Sequence, residues 1–114
     1  MIKINGIQIP TPSTYTIGIM DLSKAGRVAS GLLMIERIAT KRKIELSWSY
    51  LEKKELSDLL TLVSPTFFDV EYIDPQSDTV KTGSFYCGDR TVESLDYRNG
   101  QIRYKNIRFN LIER

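Results

Sequence analysis

A chain of 114 residues carries 16 basic and 14 acidic side chains, no histidine and one cysteine. The net charge of +2 is too small to argue for nucleic acid by itself. Cys87 alone excludes an internal disulfide framework, and the lack of histidine removes most zinc sites and the commonest general base.

The length suits one hydrophobic core, so a single domain is expected over residues 1–114. Cysteine usage fits synthesis in a reducing cytosol. The first residues, Met-Ile-Lys-Ile-Asn-Gly, lack the apolar centre of a signal peptide, and no run approaches the roughly 18 apolar residues that span a bilayer. A soluble chain without a membrane partner is the expectation.

Ile2, Ile4, Ile7 and Ile9 flank Asn5-Gly6, a pair that supplies the two positive φ angles of a tight hairpin. Pro10 and Pro12 end that pairing. Over 14–20, Tyr15, Ile17 and Ile19 alternate with Thr14, Thr16 and Gly18, the pattern of a strand with one buried face. Residues 21–31 lack a sustained period, hold Ser23, Gly26, Ser30 and Gly31, and read as a loop. A loop of that length in a small domain is commonly functional, which makes Asp21, Ser23 and Arg27 candidates for a subunit contact.

The segment 32–38 is apolar on both faces, with Leu32, Met34 and Ile38 on one and Leu33 and Ile35 on the other. Such a strand needs cover on two sides, from a second sheet or from a neighbouring subunit. Leu32 and Met34 therefore join the candidate interface. From 40 to 48, Arg42, Ile44, Leu46 and Trp48 face one way and Lys41, Lys43, Glu45 and Ser47 the other, a half-buried strand with a polar wall. Near Ser49 the period changes: Leu56, Leu59, Leu60 and Val63 recur at helical spacing. Ser49 and Glu52 have capping-box spacing, so a helix is predicted over about 50–62, stopped by Pro65, with Trp48 pinning it to the sheet.

Everything beyond is β. A strand over 67–73, turn chemistry at Asp74-Pro75-Gln76-Ser77-Asp78 and a strand over 80–87 make a hairpin. Strands over 91–97 and 101–112 make another, closed by Asn99-Gly100. In the last strand the apolar phase moves from Ile102 and Tyr104 to Ile107, Phe109 and Leu111, which predicts a bulge near Lys105-Asn106. The predicted class is mainly β (α+β), an antiparallel sandwich or barrel with one helix.

Motifs for chemistry are weak throughout. The strand-to-helix junction Trp-Ser-Tyr-Leu has no glycine for a phosphate loop, and the pairs Asp69/Glu71 and Glu93/Asp96 lie on strands whose wet faces normally carry charge. Neither catalysis nor a cofactor or metal is expected, nor a small-molecule substrate. Cys87 has only Arg90 nearby to lower its thiol pKa and reads as inert. Arg37, Lys41, Arg42 and Lys43, extended by Arg98, Arg103, Lys105 and Arg108, together with Tyr72, Tyr86, Tyr97 and Tyr104, keep a small nucleic-acid-binding β-barrel as an alternative; cross-strand packing explains the tyrosines without a ligand.

Several motifs carry a resemblance: the strand ending in Trp48, the capped helix after it, Phe-Phe-x-Val-x-Tyr at 67–72, Asp74-Pro75, and Thr-Gly-x-Phe-Tyr-x-Gly-Asp-Arg at 82–90. Together they resemble an uncharacterised family of short tail proteins from siphophages and prophages of Gram-positive bacteria. The element order is also similar to the tail-tube fold shared by tube proteins and the N-terminal domain of distal tail proteins. The resemblance implies a structural virion protein made in the host cytoplasm. It implies a ring, commonly hexameric, of a distal-tail or tail-tube adaptor that contacts other tail proteins and meets DNA only as passing cargo. A head-tail connector or tail terminator is the alternative within virions. On this reading Asp21, Ser23, Arg27, Leu32 and Met34 would meet neighbouring subunits, and Lys41, Lys43 and Glu45 would form a polar strand face, luminal in one arrangement.

Overall fold

The computed structural model describes residues 2–27, 31 and 33–114, and for 23–27 and 33–38 it describes the backbone. As the patterning predicts, the protein is mainly β with one helix. Eight strands form a single antiparallel sheet in the order β2-β1-β5-β6-β8-β4-β3, with β7 also paired to β8. These are β1 (Lys3–Ile4), β2 (Ile7–Gln8), β3 (Thr14–Arg27), β4 (Leu33–Leu51), β5 (Phe68–Asp74), β6 (Thr79–Cys87), β7 (Thr91–Arg98) and β8 (Gln101–Glu113), with α1 (Lys53–Leu62) between β4 and β5.

The sheet curls over on itself. In a flat sheet the three strands between β5 and β3 would hold those two roughly 19 Å apart, at about 4.8 Å per strand. Instead, the Tyr15 hydroxyl on β3 donates to the Ile73 carbonyl on β5 at 2.8 Å. The inner face of this curl carries the core: Ile4, Ile44, Leu46, Val70, Phe85, Ile107 and Leu111 are all buried, and Leu56 and Leu59 of α1, with Val63 at its C-terminal cap, join the same cluster. Tyr72 meets Phe85 edge-on at 5.4 Å between ring centroids, an arrangement that aromatic quadrupoles favour. The expected sandwich or barrel thus takes the form of one folded-over sheet, with β2 and β3 at its two ends.

Three local expectations hold. Asn5 and Gly6 take φ of 49° and 79° between β1 and β2, and Asn99 and Gly100 take 50° and 73° between β7 and β8. Asp78, at φ 54°, donates its backbone N–H to the Asp74 carbonyl at 2.9 Å in the predicted turn. The bulge falls at Asn106, whose φ is 49°, where the β7–β8 register shifts between Thr91↔Arg108 and Glu93↔Lys105. Without that extra residue, Ile107, Phe109 and Leu111 would face water instead of the core.

Three others are corrected. Residues 21–27 continue β3 instead of forming a loop, and the segments 33–38 and 40–48 belong to one 19-residue strand, β4. The missing apolar period in 21–27 misleads because alternation records burial against a body, whereas here backbone pairing with the opposite strand of a hairpin defines the strand. Helix α1 begins at Lys53, not near Tyr50, because Tyr50 and Leu51 still pair with Lys105 and Tyr104 on β8. Its cap is Glu52, which forms a reciprocal box with Glu55, while the Ser49 hydroxyl meets that of Ser13 at 3.2 Å.

Trp48 is buried, yet its indole N–H donates to the Pro10 carbonyl at 3.1 Å and its ring lies 5.3 Å from that of Phe109. Its polar tie is to the segment leaving β2, while its ring belongs to the same buried cluster as Leu56 and Leu59 of the helix.

Candidate assembly surface: a hairpin arm and its anchor

The last β4–β8 pair is Lys43↔Ile112, whereas β3 and β4 stay paired out to Arg27↔Leu33. The hairpin therefore projects beyond the body by about 30 Å at the usual strand rise. It accounts for the long dimension of a molecule measuring 72 × 26 × 24 Å. A register shift between Leu22 and Ser23 sits within the arm.

At its base the arm is locked to the body by a buried polar cluster. Asp74, with no exposed surface, accepts from the Arg42 guanidinium at 3.1 Å and from the Ser77 hydroxyl at 3.0 Å, and Lys81 approaches it at 3.4 Å. Arg42 also donates to Gln76 Oε1 at 3.0 Å. Arg42 beside it holds the Asp74 carboxyl down to about 2 and is itself raised by that partner. Where the β4–β8 ladder ends, the Glu113 carboxylate takes the Arg42 backbone N–H at 3.0 Å, and Lys41 donates to the Arg114 carbonyl at 2.6 Å. Tyr15 closes the other side through Ile73, and burial pushes its phenol up to about 12. All the side-chain and backbone polar groups named here have partners, which is the condition for burying such a cluster.

Past this anchor the described apolar side chains lose their cover. Ile19 is 43 % exposed, Met20 41 % and Leu22 49 %. Consecutive residues of a strand point to opposite faces, so Ile19 and Met20 leave both faces of the arm greasy. Among the described residues the outer edge of β3 pairs with no other strand.

The candidate interface residues fall on this arm. Asp21 is exposed and accepts the Thr40 hydroxyl at 2.7 Å. Ser23 and Arg27 stand opposite Arg37 and Leu33, and Met34 opposite Gly26. Leu32 lies outside the described residues. Lys41, Lys43 and Glu45 share the outer face of β4, where Lys43 and Glu45 pair loosely at 3.8 Å, opposite the buried face of Arg42, Ile44 and Leu46.

Other charged and aromatic candidates disperse. Arg42 points into the fold at Asp74, while Arg98 and Arg103 both pair with Asp96, whose carboxyl Arg103 holds below the usual range. Tyr72 is core, but Tyr97 is 71 % exposed beside the Asn99-Gly100 turn, so packing across strands does not account for it. Glu93 accepts from Asn106 at 3.1 Å, and the Asp69 backbone N–H donates to Asn5 Oδ1 at 2.9 Å. Burial pushes the Cys87 thiol up, against a weaker pull from Arg90. Among the described residues no three acidic or cysteine side chains converge on a metal-sized site, and no helix is long and apolar enough to cross a membrane.

Sequence reasoning missed the Asp74 anchor. Its only signal was Arg42 at an inward position of β4, a charge that demanded a buried partner. Also unforeseen is a cleft of about 380 Å³ between β2 and α1, with Ile9 and Leu59 in its floor, Ile7 and Leu62 on its walls and Glu55 and Asp58 on its rim.

The architecture defines a class: a small curled-sheet protein with one helix and a protruding β-arm. Within it, the chain belongs to a family of unknown function (DUF6711), which it matches over residues 1–114. No curated protein and no solved structure matches it.

Proposed function

We infer that this protein is a structural, non-enzymatic component of a phage tail that assembles with copies of itself into a ring, as an adaptor near the distal end of the tail tube. The observation that carries the self-assembling part is the arm: a two-stranded ribbon with apolar side chains exposed on both faces and an unpaired outer edge. An isolated ribbon of this kind is marginal in water and prone to pair with other chains, so it suits a subunit whose partner completes it. The tail assignment rests on the resemblance of the motifs at 48–90, and the single helix beside a β-body supports it. Lys41, Lys43 and Glu45 would then form an exposed wall whose field depends on what adjacent copies present.

The burial of Arg42 against Asp74 takes it out of the basic cluster, which favours assembly over a nucleic-acid-binding barrel. Native mass measurement of the purified protein, followed by electron microscopy, tests the proposal; the expected result is a discrete ring-shaped oligomer. A monomer at all concentrations that binds single-stranded DNA, with affinity falling steeply as salt rises, would replace it with the nucleic-acid alternative.

A further inference from the structure

We propose that the cleft between α1 and β2 is the receptor for the arm of a second copy of this chain. The inference rests on the self-assembling reading above and goes beyond it by naming the surface that the arm enters.

The cleft has the chemistry of an occupied groove without its occupant. Ile7, on its wall, is 53 % exposed, and its floor is formed by Ile9 and Leu59, which belong to the core. A second concavity of about 360 Å³, lined by Ile7, Asp58, Thr61 and Leu62, extends it along the helix. Glu55 and Asp58 lie three residues apart and so on one side of α1, which gives the groove an acidic lip. Glu55 is engaged only by the Glu52 backbone N–H at 3.4 Å, and Asp58 has no hydrogen-bond or ion-pair partner among the described residues.

The arm is complementary in composition. Its described backbone between Ser23 and Arg37 carries Lys24, Arg27 and Arg37 against Glu36, with Ala25, Leu33, Met34 and Ile35 interspersed. A basic, apolar ribbon thus faces an acidic, apolar groove, the pairing that fixes partner and register across an interface.

Geometry makes the contact intermolecular. Strand β4 runs 19 residues from the arm to the start of α1, about 60 Å at the usual rise. The arm and the cleft are thus at opposite ends of one strand, and a single chain cannot close the contact on itself. Arm into cleft is a head-to-tail interface, which generates a ring when the rotation between copies closes.

The test combines charge reversal with cross-linking, in the full chain. Asp58→Lys, on the exposed side of the helix, should weaken assembly about tenfold or more, as juxtaposed like charges do. Lys24→Asp with Arg27→Asp should weaken it similarly, and the three changes together should restore it. In a Cys87→Ser background, Ala25→Cys with Asp58→Cys should give disulfide-linked multimers on oxidation. If the unaltered protein forms its oligomer while Asp58→Lys leaves that oligomer intact and the cysteine pair gives no multimers, the receptor is elsewhere and only this inference falls. If the unaltered protein is monomeric throughout, the self-assembling reading falls with it.

Discussion

The body and the arm of this protein are built from the same hairpin, β3–β4, yet obey different rules. Where the hairpin lies in the body, one face is sealed: Ile44, Leu46 and Trp48 are buried and Arg42 is neutralised by Asp74. Beyond Lys43 the same strands continue with paired backbones, while Ile19, Met20 and Leu22 stand in water. Backbone pairing alone extends a ribbon, but burial is what gives it stability. The body buries its own core, whereas the arm leaves apolar side chains uncovered, which is why its proposed role is to be completed by another chain.

The largest effect that separates the two regions should come from emptying the core. Phe85→Ala removes a fully buried ring that packs on Tyr72 and should cost about 3–5 kcal/mol in denaturant unfolding. A loss under about 1 kcal/mol would mean that the curl of the sheet is not held as described. Asn106→Val should cost about 1–2 kcal/mol, because a β-branched residue cannot easily take the positive φ of the bulge. Asn106→Gly should be nearly neutral.

The anchor between the regions should reveal itself through pH. The Asp74 carboxyl is lowered to about 2 from an ordinary value of 3.8. Its stabilising contribution is therefore complete above about pH 4 and fades as pH falls toward 2, since the unfolded chain takes up the proton first. Asp74→Asn should be less stable than the parent at pH 7 and should show a smaller drop between pH 5 and pH 2.5. Parallel acid profiles for the two proteins would remove Asp74 from the anchor. The smallest effect on folding should come from the arm surface: Leu22→Ser ought to change unfolding free energy within about 0.5 kcal/mol while weakening self-association.

The contrast between regions also explains what the amino-acid sequence made legible. Alternation in β4 through Trp48, in β5 and in the shifted phase of β8 is legible because each strand has one buried face. Asn-Gly at 5–6 and 99–100 is legible because few other pairs take two positive φ angles cheaply. Residues 21–27 of the arm were misread as a loop because a ribbon that leaves the body need not alternate apolar and polar residues to stay paired. The helix start was placed too early because Ser49 has good capping chemistry, but ladder pairing with β8 through Leu51 overrides it.

What patterning divides into a loop and a separate strand is one hairpin. Asp21, Ser23, Arg27 and Met34 do lie together on a projecting element, though as a ribbon. The cleft between β2 and α1 joins residues distant in sequence, Ile7 and Asp58 among them, and no local pattern announces such a junction.

A body that folds alone and an arm that assembles can be separated by shortening the hairpin. Replacing residues 21–40 by an Asn-Gly turn that joins Met20 to Lys41, which are register partners, isolates the two roles. Sedimentation and thermal unfolding of this shortened chain beside the parent should give a folded monomer with a closely similar melting temperature at low concentration. An oligomer of the parent's size, or a body that no longer folds, would contradict the account.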